Sequence, residues 1–162
     1  MFPRNALLSF LLVSIAACGA ADSSEPPAPL DFDAHLAALA AKSEHTDERV
    51  EVQHVLISFA GRTEKATRSQ AEAETLARQV YDRVQAGEDF DALVKEFTDD
   101  SHPGIYLMTQ SGPTRLGEIY NRKDMVGAFG NVGWKLAVGE VGVAAFDPDS
   151  SPYGWHIVKR LN

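Results

Sequence analysis

The sequence predicts an α+β domain, with strands gathered towards the two ends of the folded part and helices between them. Two runs carry the strand half of that reading. Residues 50–59 (Val-Glu-Val-Gln-His-Val-Leu-Ile-Ser-Phe) and 153–161 (Tyr-Gly-Trp-His-Ile-Val-Lys-Arg-Leu) are rich in β-branched and aromatic residues and are bounded by charged or turn-forming segments. The helical half rests on residues 69–86 and on the stretch opened by Asp89, where apolar side chains recur every three or four positions. Each strand-like run holds one histidine, His54 and His156. Paired side by side as direct cross-strand neighbours, the strands put both imidazoles on one face, with Cβ atoms about 4.5–5.5 Å apart.

The amino terminus reads as a targeting segment rather than as part of the fold. Arg4 is the only charge in the first 21 residues, and the apolar stretch from Ala6 to Ala17 that follows is too short to span a bilayer comfortably. A basic start, a short apolar core and a small-residue exit are the layout of a secretory signal peptide over residues 1–17. Ile15-Ala16-Ala17-Cys18 resembles the bacterial lipobox, in which cleavage leaves the cysteine first and its thiol is lipidated. Gly19 stands where aspartate is associated with inner-membrane retention, so the expected destination is the outer membrane. Ordinary secretion, cut near Ala17 or Ala20, is the competing reading. Cys18 is the only cysteine, which rules out an intrachain disulfide. Losing residues 1–17 takes away one of 15 Lys and Arg and none of 23 Asp and Glu, moving the formal charge from -8 to about -9. That balance argues against nucleic acid as a partner.

Residues 19–29 are small, polar and proline-rich and read as an extended tether. Residues 31–41 carry Leu36, Leu39 and Ala40 at helical spacing, a short helix whose docking is left open. The expected division is therefore a signal peptide over 1–17, a lipid-anchored flexible tether with a short helix over 18–47, and one folded domain over 48–162. The remaining chain is long enough for one domain with a modest core.

Within that domain, residues 60–67 form a polar loop with Arg62, Lys65 and Arg68 at its edge. Ser69 with Glu72 resembles a capping box, and Ala73, Leu76, Ala77, Val80 and Val84 make the inner face of the helix it opens. Glu74–Arg78 and Arg78–Asp82 supply i,i+4 pairs on its outer side, and Gly87 ends it. The helix from Asp89 turns Phe90, Leu93, Val94 and Phe97 inward. Residues 99–114 read as irregular, punctuated by Ser101-His102-Pro103-Gly104 and Ser111-Gly112-Pro113. A short strand is expected at 115–120, and a third helix at 125–136, weakened by Gly127, Gly130 and Gly133. A strand at 143–146 and the turn Asp147-Pro148-Asp149 lead into the last strand.

His54-Val55-Leu56-Ile57 at the start and Gly154-Trp155-His156-Ile157-Val158-Lys159 at the end resemble the signature of the parvulin-type (PpiC-like) peptidyl-prolyl cis/trans isomerases. The order of elements is similar to that family's fold, a small antiparallel β-sheet surrounded by helices. Gly87-Glu88-Asp89-Phe90-Asp91-Ala92-Leu93 resembles its Gly-x-x-Phe-x-x-Leu segment. Phe97-Thr98-Asp99-Asp100 resembles its Phe-Ser-x-Asp/Cys segment, which puts Asp100 at the acidic or thiol position facing the substrate. Met125 and Phe129 match the methionine and phenylalanine of the proline pocket, and Leu136-Ala137-Val138-Gly139-Glu140-Val141 resembles the Leu-x-x-Gly-Glu-Ile/Val turn. The match covers about Val50 to Leu161. One region departs from it: the family's Gly-Gly-Asp-Leu-Gly is reduced here to Leu116-Gly117, preceded by Thr114 and Arg115, and the loop 101–113 is longer than usual. Leu116 is then the expected third wall of the pocket. Ser151 falls where threonine or serine is common, and Tyr153 replaces a smaller polar residue and narrows the mouth.

The resemblance implies an enzyme that isomerises Xaa-Pro bonds in unfolded, proline-containing polypeptides and needs no cofactor or metal. Its catalytic group is His54, Asp100 and His156, and its substrate-binding group is Leu116, Met125, Phe129 and Ser151. Those residue types suit the reaction, whose barrier of ~18–20 kcal/mol comes from amide resonance. A planar amide is more dipolar than a twisted one, so an apolar slot disfavours the ground state relative to the transition state. Met125 and Phe129 share a helix face at i,i+4; outside the family pattern such a pair reads as core. The two histidines are expected to bond each other and fix each other's tautomer, an architectural role rather than proton transfer. Asp100 biases the carbonyl or holds that pair, against the ordinary reading of a helix-end residue satisfied by backbone amides. His102 beside Asp99 and Asp100 reads as solvated loop rather than as a metal cluster, as do Arg62, Lys65 and Arg68 against recognition of an acidic residue before proline. His35 and His45 fall in the lead-in. The expectation is a lipid-anchored foldase facing the periplasm. Its rivals are a non-catalytic chaperone module using the same groove and an envelope lipoprotein with a relic domain.

Overall fold

The computed structural model describes residues 31–162 apart from 113, 114, 117 and 118 and the side chains of Arg115 and Leu116. The expected signal peptide, Cys18 and the stretch 19–29 lie outside the described residues. In chain order the elements are α1 (Phe32–Ala41), β1 (Arg49–Ile57), α2 (Gln70–Gln85), α3 (Phe90–Phe97), β2 (Ile105–Thr109), β3 (Arg115–Leu116), β4 (Ile119–Asn121), a 3-10 turn (Arg122–Asp124), α4 (Gly127–Lys135), β5 (Val141–Ala144) and β6 (Trp155–Arg160).

β1 and β6 pair antiparallel in the middle of a six-stranded sheet of order β3-β4-β2-β1-β6-β5. The sheet is mixed rather than purely antiparallel, because β2 and β4 run parallel across Leu107–Ile119 to Thr109–Asn121. Alternation along β1 divides the core in two. Val55, Ile57 and Phe59 join Ala73, Ala77 and Val80 of α2 and Leu93 and Val94 of α3 on one side. Val50 and Val52 join Phe129, Val132 and Trp134 of α4 on the other, with Val158 of β6 beside them.

Local chemistry explains where the helices start. Ser69 and Glu72 form the expected reciprocal capping box: Glu72 N–H donates to Ser69 Oγ at 3.3 Å, and Ser69 N–H to Glu72 Oε2 at 2.7 Å. Asp89 caps α3 by accepting from Ala92 N–H at 2.9 Å. α4 begins at Gly127, two residues later than the spacing predicts. Asn121 caps the 3-10 turn and leaves Met125 extended at φ -87° and ψ 160°, so Met125 precedes the helix that carries Phe129. With no side-chain cap, α4 instead sends Ala128 N–H to Ser150 O at 2.9 Å.

Two further departures matter for the site. β2 lies inside the segment read as irregular, paired with β1 from Gln53–Ile105 to Arg49–Thr109. The lead-in helix α1 is docked, not part of a free tether. Phe32 is buried among the α2–α3 core and Leu39 in the α4 core. The link to β1 is pinned as well: His45 N–H donates to Trp134 O at 2.7 Å, Trp134 Nε1 to Asp47 O at 2.7 Å and Arg160 Nη2 to Asp47 Oδ2 at 2.6 Å. The packed body therefore reaches back to Phe32 rather than starting at 48, because α1 covers apolar surface that β5 and both cores leave exposed.

Candidate active site

His54 lies opposite Val158, and His156 opposite Leu56. The two histidines are thus diagonal neighbours, not the directly opposed pair expected, yet they share a face as period-two alternation requires. Their rings stack with centroids 5.3 Å apart and planes 12° from parallel. Gly104 fixes the backbone beside His54, accepting from His54 N–H at 3.0 Å, where a Cβ would stand 2.7 Å from His54 O. Gly154 does the same ahead of β6, at φ 140° and with its missing Cβ only 2.2 Å from Ile57 O.

Asp100 reaches the pair because the chain leaving α3 is sewn onto the end of β1. Asp99 N–H donates to Leu56 O at 2.8 Å, and Thr98 Oγ1 accepts from Leu56 N–H at 3.1 Å and from Asp100 N–H at 3.2 Å. Asp99 turns inward, accepting from Ser58 N–H at 2.7 Å and from the Arg68 guanidinium. Asp100 Oδ2 then sits 3.0 Å from His54 Nε2, while His54 Nδ1 is 3.1 Å from His156 Nδ1.

Tyr106 completes the chain of bonds, donating its hydroxyl to Asp100 Oδ2 at 2.9 Å and packing edge-on against the His54 and Phe129 rings. Sequence reasoning missed it, because its strand was read as loop. The short apolar run Ile105-Tyr106-Leu107-Met108, bounded by turn residues on both sides, is the available signal.

Charge follows from this arrangement. The hydrogen bond from His54 holds the Asp100 carboxyl well below the usual carboxylate range against the opposing effect of burial, and Tyr106 adds to it. Burial, then the bond to Asp100, push the Tyr106 hydroxyl up. His156 is pushed down to about 3, chiefly by burial. Asp100, ionised, accepts from His54 Nε2–H, and a single proton bridges His54 Nδ1 and His156 Nδ1. His156 Nε2 is buried without a partner among the described residues.

Beside this polar chain a cleft of about 260 Å³ opens, walled by Leu56, Met125, Val126 and Phe129, with His54, Asp100, Tyr106 and His156 on its polar side and Thr63 and Tyr153 completing it. The structure thus brings together His54, Asp100, His156, Met125 and Phe129. The Leu116 side chain lies outside the described residues; its backbone forms β3, opposite Ile119. Ser151 does not enter the cleft. It is wholly buried and donates its hydroxyl to Gly154 O at 2.9 Å, shaping the turn before β6. Of the loop cations, Arg68 is committed to Asp99 and Ser58 O, Arg62 stacks over Phe59 and Phe146, and Lys65 Nζ donates to Asp100 O. His102 binds Asp91 at 3.0 Å rather than the adjacent acids.

A model of the PPIC-type PPIase domain matches residues 34–162. The chain belongs to the PPIC-type peptidyl-prolyl cis/trans isomerase family. Its enzymatic class is that of peptidyl-prolyl cis/trans isomerases. The domain is 34% identical over 116 residues to the chaperone SurA of Pseudomonas fluorescens, and 33% identical over 116 residues to that of Pseudomonas aeruginosa. Each alignment covers 70% of this chain but only 23% and 24% of the relative, so the chain spans about a quarter of those proteins. Among solved structures, the fold is similar to TbPIN1 (TM-score 0.52, 18% identity, 72% of this chain and 100% of that one). It is also similar to peptidyl-prolyl isomerase ESS1 from Candida albicans (TM-score 0.51, 18% identity, 81% and 73%). The match beginning at residue 34 agrees with α1 being packed on the domain.

Proposed function

We propose that this isomerase acts on Xaa-Pro bonds of exported or envelope polypeptides, by desolvating the prolyl amide. The observation that carries the reading is the apolar wall of Leu56, Met125 and Phe129 standing directly against the His54–Asp100 chain in one cleft. No covalent bond has to break. Moving the dipolar planar amide out of water raises its ground state relative to the twisted transition state, and the apolar wall provides that environment. Asp100, ionised and bonded on two sides, sets the field at the polar edge, and His54 and His156 hold it there. Leu116 is assigned to the same pocket as a further apolar wall. The decisive experiment is a protease-free isomerisation assay over peptides varying the residue before proline. Acceleration by the parent that is lost in Phe129→Ala is expected. Peptides that bind without accelerated isomerisation would instead favour a chaperone module holding unfolded segments, the reading that resemblance to SurA supports.

The envelope setting is part of the proposal. It rests on Arg4, the apolar run and Ile15-Ala16-Ala17-Cys18, with Cys18 carrying the lipid and the domain facing the periplasm from the outer membrane. Mass spectrometry of the mature protein tests it: an acylated amino-terminal Cys18 is expected, and an unmodified terminus beyond Cys18 overturns the anchor.

A further inference from the structure

We propose that Thr63 is a substrate-positioning residue, its hydroxyl donating to a backbone carbonyl of the proline peptide bound in the cleft assigned above to isomerisation. The argument is an accounting of donors. A peptide entering the cleft gives up water around its carbonyls, and each carbonyl left without a donor weakens binding. Most polar groups lining the cleft are already committed. Tyr106 O–H and His54 Nε2 both serve Asp100, and the two histidine Nδ1 atoms serve each other. Whether His156 Nε2 carries a hydrogen depends on which ring holds the bridging proton, and Asp99 and Asp100 are acceptors, unable to meet a carbonyl. Tyr153 is 47% exposed and open to water. Thr63 Oγ1 is shielded from solvent and has no hydrogen-bond partner among the described residues, an isolation it shares with His156 Nε2. As a hydroxyl, however, it carries a hydrogen in every state of the histidine pair.

The loop that carries Thr63 is held in place rather than left loose. Ala60 bridges to Thr63, Ala60 N–H donates to Arg68 O at 2.8 Å, and Lys65 reaches Asp100 O. Arg68 is in turn anchored on Asp99. With the backbone fixed, rotation about the Thr63 Cα–Cβ bond exchanges its hydroxyl and methyl between staggered positions, so the donor turns to an incoming acceptor without moving the loop.

The inference rests on the isomerase reading of this cleft but is tested by affinity as well as by rate. Thr63→Val keeps the shape and removes the hydroxyl, while Thr63→Ser keeps the hydroxyl. Each is compared with the parent on a proline peptide and on a series in which one carbonyl at a time becomes a thiocarbonyl, a weaker acceptor. Thr63→Val is expected to lower peptide affinity and kcat/KM about 5-fold, the scale of one neutral hydrogen bond, with its Tm equal to or above the parent's. Thr63→Ser keeps both values, and at one thiocarbonyl position the Thr63→Val penalty disappears, which identifies the carbonyl held. Parental affinity and rate in Thr63→Val overturn the proposal. So does a penalty equal at every thiocarbonyl position, or one accompanied by a lower Tm, since a structural role gives that pattern. A parent that binds peptides without isomerising them overturns the isomerase reading alone, and the affinity comparison still decides Thr63.

Discussion

On the α2–α3 side of the central strands, Val55, Ile57, Trp155 and Ile157 meet Ala77, Val80, Leu93 and Val94, and the polar Gln53 at the margin is satisfied by Asp91 and Pro103 O. On the α4 side, the alternate residues of the same two strands are His54, Leu56, His156 and Val158. That second face is apolar under Trp134 and Leu136, then changes to a hydrogen-bonded chain and a cleft where the histidines stand. Apolar packing is non-directional and tolerates swaps of similar volume. A buried polar chain has no such tolerance, because removing one member leaves another unmet in a low-dielectric site. Two adjacent positions on one strand therefore answer to different rules, one governing mainly stability and the other mainly the site.

The largest effect should come from the element that serves both faces. Deleting residues 31–47 removes Phe32 from one core and Leu39 from the other, and should cost at least about 4 kcal/mol in urea unfolding. Unchanged stability would restore a domain boundary at 48. Next, Ile57→Ala should lose about 3 kcal/mol of stability while keeping parental kcat/KM well below its Tm. Phe129→Ala should lower kcat/KM at least ~10-fold, equivalent to ~1.4 kcal/mol of transition-state stabilisation. Equal losses of rate in the two variants would show that the faces are not separable.

Acid should also distinguish the faces. His156 is held down at about 3 in the folded protein against 6.5 unfolded, so between those values the unfolded state binds the extra proton. Stability from His156 is complete above pH 6.5 and is lost as pH falls towards 3. Asp100, also depressed, extends the loss below its unfolded value of 3.8. Tm measured from pH 7 to 4 should fall, and His156→Asn should flatten that slope. A residual slope is expected from His35, which burial depresses in the same direction. An equally steep slope in His156→Asn would mean that the imidazole is protonated in the fold. The smallest effect should be Tyr106→Phe, a roughly 2- to 5-fold loss of kcat/KM from one hydrogen bond. Removing that bond should raise the Asp100 pKa and move the acid limb of the pH–rate profile upward, and an unmoved limb would detach Tyr106 from the site.

Much of this was readable from local pattern. The β-branched runs around His54 and His156, the Ser69–Glu72 box and the apolar spacing of α2 and α3 all depend on near neighbours, and their residues state them directly. β2 was hidden because its five residues, Ile105 to Thr109, form a short apolar run with no strand alternation to outweigh the turn signals on both sides. Tyr106, and with it the second donor to Asp100, was hidden along with the strand. Met125 was placed on the helix because helical spacing cannot register a 3-10 turn capped by Asn121 just before it. Ser151 looked available from its position, but the donor–acceptor geometry of its turn turns the hydroxyl inward.

The residues alone say which side chains face each side of β1 and β6 and where the main helices open, because period and capping are local. Grouping the histidines, Asp100, Met125 and Phe129 into one site needed the resemblance to the parvulin family as well. Only the tertiary structure decided the diagonal register of His54 and His156, the β2 strand that supplies Tyr106, the docking of α1 across both cores and the isolation of the Thr63 hydroxyl. Each of these depends on contacts between segments distant in the chain, where register and packing, rather than local preference, select the partner.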